Sequence, residues 1–193
     1  LDYRSGATIV LNDRIEQDVL LTRGKYYGLE LFLKKNTGKL NGSISYTYSR
    51  SLLQTDPSEQ KEQINRSTWY SSNFDQPHTA NLVANLELSR RVNTTLAGKY
   101  STGRPVTLPT AKFNYGGSER VYFADRNSFR IPDYFRLDLS VNLEGNHKVK
   151  KAAHGSWSFG VYNILGRDNA YSVYYVPEGG KLRGYQLAIF AEP

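Results

Sequence analysis

Four stretches of this chain alternate apolar and polar residues one by one, over lengths that most soluble strands do not reach. In Lys25–Lys35 one set is Tyr27, Leu29, Leu31, Leu33 and the other Gly28, Glu30, Phe32, Lys34. Leu40–Arg50 sets Leu40, Gly42, Ile44, Tyr46, Tyr48 against Asn41, Ser43, Ser45, Thr47, Ser49, and Ala80–Ser89 sets Ala80, Leu82, Ala84, Leu86, Leu88 against Asn81, Val83, Asn85, Glu87, Ser89. Tyr134–Glu144 places Leu137, Leu139, Val141, Leu143 opposite Arg136, Asp138, Ser140, Asn142, Glu144. Strict period two predicts strands with one apolar and one strongly polar face. Soluble strands average about five or six residues, whereas a tilted strand that crosses a bilayer needs about 9–11.

Shorter strands are expected at Tyr3–Leu11, Thr94–Ser101, Ser156–Asn163, Ala170–Val176 and Leu182–Phe190, making nine in all with no helix. Asn36–Lys39 and Arg90–Val92 read as tight turns. Ser51–Asp75 and Thr102–Arg130 read as long structureless connections. Short turns at one rim and long loops at the other are the habit of outer-membrane barrels, and compact soluble domains rarely hold two loops of that size. Parity also constrains register. With Thr37-Gly38 at the tip, Leu33 faces Gly42, Leu31 faces Ile44, Leu29 faces Tyr46 and Tyr27 faces Tyr48. In the second hairpin both apolar sets are even, so an odd loop, Arg90–Val92, sets Leu86 opposite Leu96. Tyr46, Tyr48, Tyr100 and Tyr134 fall toward the loop ends, and these, with Trp157, are expected at the membrane–water interface.

Composition bounds the alternatives. The chain has 193 residues with neither Met nor Cys, which removes disulfides, thiolate metal sites and thiol nucleophiles. A first residue of Leu1 reads as a processed chain or a piece of a longer one. No signal peptide is visible, and no apolar run approaches the roughly 18 residues of a membrane helix. Mean hydropathy is −0.57, a polar value that does not exclude a barrel, whose lumen face and loops are polar. The net charge of +7 is scattered. Its densest cluster, His147, Lys148, Lys150, Lys151 and His154, sits in an expected turn, and no nucleic-acid-binding motif accompanies it.

The segments Lys25-Tyr26-Tyr27-Gly28-Leu29-Glu30-Leu31, Ser45-Tyr46-Thr47-Tyr48-Ser49-Arg50, Thr102-Gly103-Arg104-Pro105, Arg136-Leu137-Asp138-Leu139-Ser140, Val161-Tyr162-Asn163-Ile164-Leu165-Gly166-Arg167 and Asn169-Ala170-Tyr171 together resemble TonB-dependent receptors, especially a Bacteroidetes-like branch. The resemblance implies an all-β fold: antiparallel up-and-down strands forming part of a 22-stranded transmembrane barrel in the Gram-negative outer membrane, filled by an N-terminal plug. It would make residues 1–193 a C-terminal portion of that barrel, strands thirteen to twenty-one, without plug or final strand, and would put both long loops outside the cell. It implies a non-enzymatic importer of a scarce nutrient (siderophore, vitamin or glycan). Its partners would be the rest of the barrel, the plug, TonB acting through the plug, outer-membrane lipid and a surface lipoprotein.

No catalytic or metal constellation and no cofactor is expected. His78, His147 and His154 lack ligand spacing, with His78 read as interfacial or lumenal. Glu30, Glu87, Asp138 and Glu144 on the polar face suit ion pairing inside a barrel or to a plug. Ligand capture is expected from the loops, by Arg66, Trp69 and Tyr70 in the first and Tyr115, Arg120, Tyr122, Phe123, Arg126 and Arg130 in the second. Guanidinium groups beside aromatic rings suit an anionic, partly apolar ligand, and stacked rings suit sugars. Two other readings stand beside this one. A soluble all-β binding or adhesion module requires the apolar faces to be buried under a second sheet. An outer-membrane barrel enzyme requires a Ser/His/Asp-type cluster at one rim.

Overall fold

The computed structural model describes residues 2–3, 19–56, 63–145, 155–178 and 181–188. Of the expected strand Tyr3–Leu11 only its first residue falls among them, and the basic turn around His147 lies outside them. The described strands are all antiparallel. β1 (Asp2–Tyr3) pairs with β2 (Val19–Leu20), which leads into β3 (Thr22–Lys35) and β4 (Leu40–Thr55). Then come β5 (Tyr70–Ser71), β6 (His78–Ser89), β7 (Val92–Ser101), β8 (Pro105–Val106), β9 (Pro109–Tyr115), β10 (Ser118–Phe123), β11 (Phe129–Arg130), β12 (Tyr134–Glu144) and β13 (Ser156–Val161). β14 (Ala170–Glu178) and β15 (Lys181–Ala188) form a hairpin of their own.

The main sheet has seven strands in the order β13-β12-β7-β6-β4-β3, with short β5 added to β4. Order in space follows order in sequence, the up-and-down arrangement that the hairpins require. Its rungs sort the side chains onto two faces. One rung reads Leu33, Ile44, Leu82, Gly98, Leu137; the next Leu31, Tyr46, Ala80, Tyr100, Phe135. A third carries Ala84, Leu96, Leu139 and Val161. On the other face neighbouring polar side chains bond across strands. Asn81 Nδ2 donates to Ser45 Oγ, Asn85 Nδ2 to Asn41 Oδ1, Thr95 Oγ1 to Asn85 Oδ1 and Ser158 Oγ to Asn142 Oδ1. Phe32 and Val83 are apolar side chains exposed among them.

No second layer covers the apolar face among the described residues. Leu31 is 55% exposed, Ile44 46% and Leu86 40%. The chain presents 14204 Å² to its surroundings, where a soluble monomer of its mass would show about 9,300 Å². The buried apolar cluster instead sits between loop and wall: Leu20, Ile64 and Tyr70, with Leu53 against them. An apolar face this wide and uncovered does not belong in water.

Several expectations need correction. Register in the first hairpin keeps its parity but moves by two: Leu33 faces Ile44, Leu31 faces Tyr46, Leu29 faces Tyr48 and Tyr27 faces Arg50. The tip therefore falls at Gly38-Lys39, where Gly38 has φ +89°. In the second hairpin Leu96 faces Ala84, and Leu86 faces Thr94. An irregularity between Glu87 and Ser89 absorbs the odd residue, so a tight Arg90-Arg91 turn joins two even sets. A bulge of this kind corrects parity without a longer loop.

The long connections are also more ordered than expected. β4 runs on to Thr55, because β3 begins at Thr22 and pairs with it that far. A short turn at Ile64–Ser67 follows, with Asn65, Arg66 and Ser67 all at positive φ. Left-handed backbone costs roughly 1–2 kcal/mol per ordinary residue, so outside contacts must hold this turn. The second connection is a hairpin arm. β8 pairs with β11 in the same register that joins β7 to β12, Arg130 facing Pro105 as Tyr134 faces Ser101. Beyond it β9 and β10 continue to a Gly116-Gly117 turn with φ +60° and +79°, the double positive φ that a two-residue hairpin prefers.

Candidate functional site at the outer rim

The arm and the first loop are fastened to each other around one carboxylate. Asp75 is fully buried. Its Oδ1 accepts from the Ser51 N–H at 2.7 Å and Arg50 Nε at 3.2 Å, and its Oδ2 from Ser71 Oγ at 2.9 Å and from Arg130 Nη2. Arg130 also donates to the carbonyls of Asp75 and Gly103 and to Ser71 Oγ. Burial pushes the Asp75 carboxyl upward, but the Ser51 N–H, the Ser71 hydroxyl and the two guanidinium groups outweigh it and hold the acid below its ordinary value. It is a structural anion.

A second seam lies farther out. The Asn65 amide pairs with the backbone of Arg126, accepting its N–H at 2.7 Å and donating to its carbonyl at 2.9 Å. Asn127 Nδ2 donates to the Ser71 carbonyl and to Asn73 Oδ1. The Asn65–Arg126 pair, with Gln54 Nε2 donating to the Ser67 carbonyl and the Ile64 N–H to Thr55 Oγ1, holds the left-handed turn. The third outer connection is tied down too. Asn169 accepts from the Phe135 N–H and donates to its carbonyl, taking the place of a strand neighbour where β13 has ended. The Asn163 N–H donates to Asp138 and that of Ile164 to the Leu137 carbonyl. Asn163 has φ 53°, which explains why β13 stops at Val161.

Against this platform the expected loop residues separate into groups. Tyr70 is in the buried cluster and Arg130 in the Asp75 hub. Trp69 is half-buried with Lys25 Nζ 4.0 Å from its ring centre. Lys25 shares its face with Tyr27 and Leu29, so this contact lies on the apolar side of the wall. Arg66, in the left-handed turn, and Tyr122 and Phe123, on β10, are exposed. Arg126 is fixed through its backbone to Asn65. Tyr115 and Arg120 stand on either side of the arm's turn, and their side chains lie outside the described residues.

The aromatic positions divide as well. Tyr46 and Tyr48 flank His78, with Tyr46 Oη 2.8 Å from His78 Nδ1, all three on the apolar face. Tyr100 donates to Asp133 Oδ2 at 2.6 Å. Trp157 is 69% exposed and stacked on Phe159 at the short-turn end. Tyr134 does not join this belt. It stands on the polar face with Arg136, and Phe135 takes the apolar place opposite Tyr100. The odd parity of Leu137 and Leu139 already excludes Tyr134 from their face.

Sequence reasoning missed a pocket of about 290 Å³ beneath the arm, on the polar side, between β7, the β7–β8 connection, the start of β12 and the start of β14. Lys99 Nζ lies 5.9 Å from the Tyr134 ring, and the Arg104 guanidinium 5.6 Å from the Tyr171 ring while donating to the Tyr171 carbonyl. Gly103 forms its back wall. A Cβ there would stand 1.7 Å from the Ile131 carbonyl oxygen, so the chain can pass only as glycine. Its N–H donates to Asp133 Oδ1 at 2.9 Å. The Tyr100 hydroxyl and this N–H hold the Asp133 carboxyl low. Deeper on the same face Arg136 packs 4.2 Å from the Tyr162 ring, donates to Tyr134 Oη and pairs with Asp138 at 3.0 Å. Among the described residues no three acidic or histidine side chains gather as a metal site would need.

Compared with known proteins, residues 11–164 match the model of a family described as TonB dependent receptor-like, beta-barrel. Neither the curated proteins nor the solved structures compared with the chain include a match.

Proposed function

The chain belongs to the TonB-dependent receptor β-barrel family, and from that premise we propose that it forms the wall and outer loops with which an outer-membrane receptor captures a scarce nutrient for import. The family is one of outer-membrane transporters, whose barrels work with a plug domain and with TonB. The sidedness of the sheet carries the reading. Leu29, Leu31, Leu33, Ile44, Leu82 and Leu86 meet hydrocarbon, while Asn41, Ser45, Asn81, Asn85 and Thr95 face the lumen and a plug. Tyr46, Tyr48, Tyr100 and His78 lie at the outer water–lipid boundary, and Trp157 at the inner one.

In this reading residues 1–193 are a C-terminal part of a 22-stranded barrel, and the Asp75 hub is the device that presents its loops. Arg66, Tyr122 and Arg126, with Tyr115 and Arg120 at the arm's tip, supply the first contact with ligand, while Tyr70 and Arg130 support them and Trp69 packs on the membrane side of the wall. A ferric siderophore, a vitamin or a glycan fits such a surface. Fractionation of cells carrying the intact receptor tests the proposal. The protein is expected in the outer membrane, resistant to alkaline carbonate and released by detergent. Growth on its nutrient should require both the receptor and TonB. Recovery in the soluble fraction, or TonB-independent uptake, would overturn it.

A further inference from the structure

The pocket between Lys99 and Arg104 carries an uncompensated positive charge. Its lining contains two cations and no carboxylate. Arg136, directly across the ladder from Lys99, is neutralised by Asp138. Lys99 and Arg104 have no acidic partner among the described residues. Like charges on facing strand positions repel, and the pair Lys99–Arg136 is left half compensated. Each unneutralised cation instead rests near a tyrosine ring, which stabilises it only modestly when exposed.

We propose that this pocket is a subsite for an anionic oxygen group, a carboxylate or phosphate, of the ligand that the receptor imports. Lys99 and Arg104 supply the charge, with Arg104 already aligned by its bond to the Tyr171 carbonyl. The Tyr134 and Tyr171 rings form apolar walls beside the anion. The volume admits a charged group with one ring or sugar attached, and not a whole large ligand, whose remainder would extend toward the arm. The proposal rests on the reading of this face as the lumen, and it adds the chemistry of what binds there.

Binding of phenyl phosphate to the detergent-solubilised intact receptor, with its plug in place, tests it by titration calorimetry, with phenol as the neutral probe. Phenyl phosphate is expected to bind saturably, at least tenfold tighter than phenol, and more weakly in high salt. Lys99→Gln and Arg104→Gln should each weaken it about tenfold, whereas Lys99→Arg, Arg104→Lys and the distant Lys34→Gln should retain it. The charge-keeping pair guards against a loss that reflects only misfolding. No binding to the native receptor, as would follow if a plug carboxylate already fills the pocket, overturns the proposal. So does equal binding of phenol, or indifference to removal of both charges. Because none of these titrations requires energised uptake, failure of import and failure of the subsite are separate results.

Discussion

Replacing Asp75 by Asn should release the outer loops while leaving the wall intact. The carboxylate is fully buried and accepts from four donors, two of them guanidinium groups. An amide keeps the shape and can still accept from the Ser51 N–H. Its NH₂ group, however, would face the donors Arg130 and Ser71, and both guanidinium groups would lose their counter-ion. Removing one partner of a buried ion pair costs about 3–5 kcal/mol. Arg50 and Arg130 each keep 28% exposure, so water recovers part of this, leaving about 2–4 kcal/mol. Amide hydrogen exchange reads the effect locally. The amides of Ser72, Asp75 and Ile131, which bond to Ser51, Ser72 and Arg104 carbonyls, should exchange roughly 30- to 700-fold faster. Strand amides such as that of Leu82 should not change. The pH dependence has a definite sign. A carboxyl held low in the folded platform stabilises it fully above the ordinary value of 3.8 and loses that contribution as pH falls below it. Loop protection in the native protein should therefore fall in that acid window, and in Asp75→Asn it should fall less there, the remainder coming from Asp133, which is also held low. Exchange at these amides unaltered within about threefold would refute the hub.

Three further outcomes follow from the same geometry. Gly103→Ala forces a methyl against the Ile131 carbonyl; the resulting overpacking, about 1–3 kcal/mol, should expose the arm to trypsin at the Arg130–Ile131 bond. Asn169→Ala leaves the N–H and carbonyl of Phe135 unmet, at about 1–3 kcal/mol, and should speed exchange at the Phe135 amide. An arginine at Leu31 should lower barrel stability by about 2–4 kcal/mol, measured by denaturant titration in lipid, whereas Ser45→Arg on the other face should have little effect.

What could be read in advance was whatever repeats every two residues. Leu29 to Leu33, Ile44 to Tyr48 and Leu137 to Leu143 declare their faces unaided. Register came out two residues off because parity fixes the sum of facing positions only as odd or even, and turn geometry selects the value. The irregularity beside Leu88 and the left-handed Gly38 make that selection. The arm went unseen because its strands are short and lie in a polar stretch, although Gly116-Gly117 is a hairpin signal. Asp75 carries no local pattern: its two arginines lie 25 and 55 residues away. The Lys99–Arg104 pocket, likewise, exists only once β7 and β12 are paired.

The medium on each side of the wall can be read residue by residue with spin labels. The chain contributes no cysteine of its own, so in an intact receptor freed of any other thiol, single cysteines at Leu31, Ile44 and Leu82, and at Glu30, Ser45 and Asn81, can each carry a nitroxide after reconstitution in lipid. Oxygen dissolved in the bilayer should relax the first three and a water-soluble nickel complex the second three, with parity reversing between β3 and β4. Labels at Leu31, Ile44 and Leu82 shielded from both reagents would mean that a protein layer covers that face, and would contradict its contact with lipid.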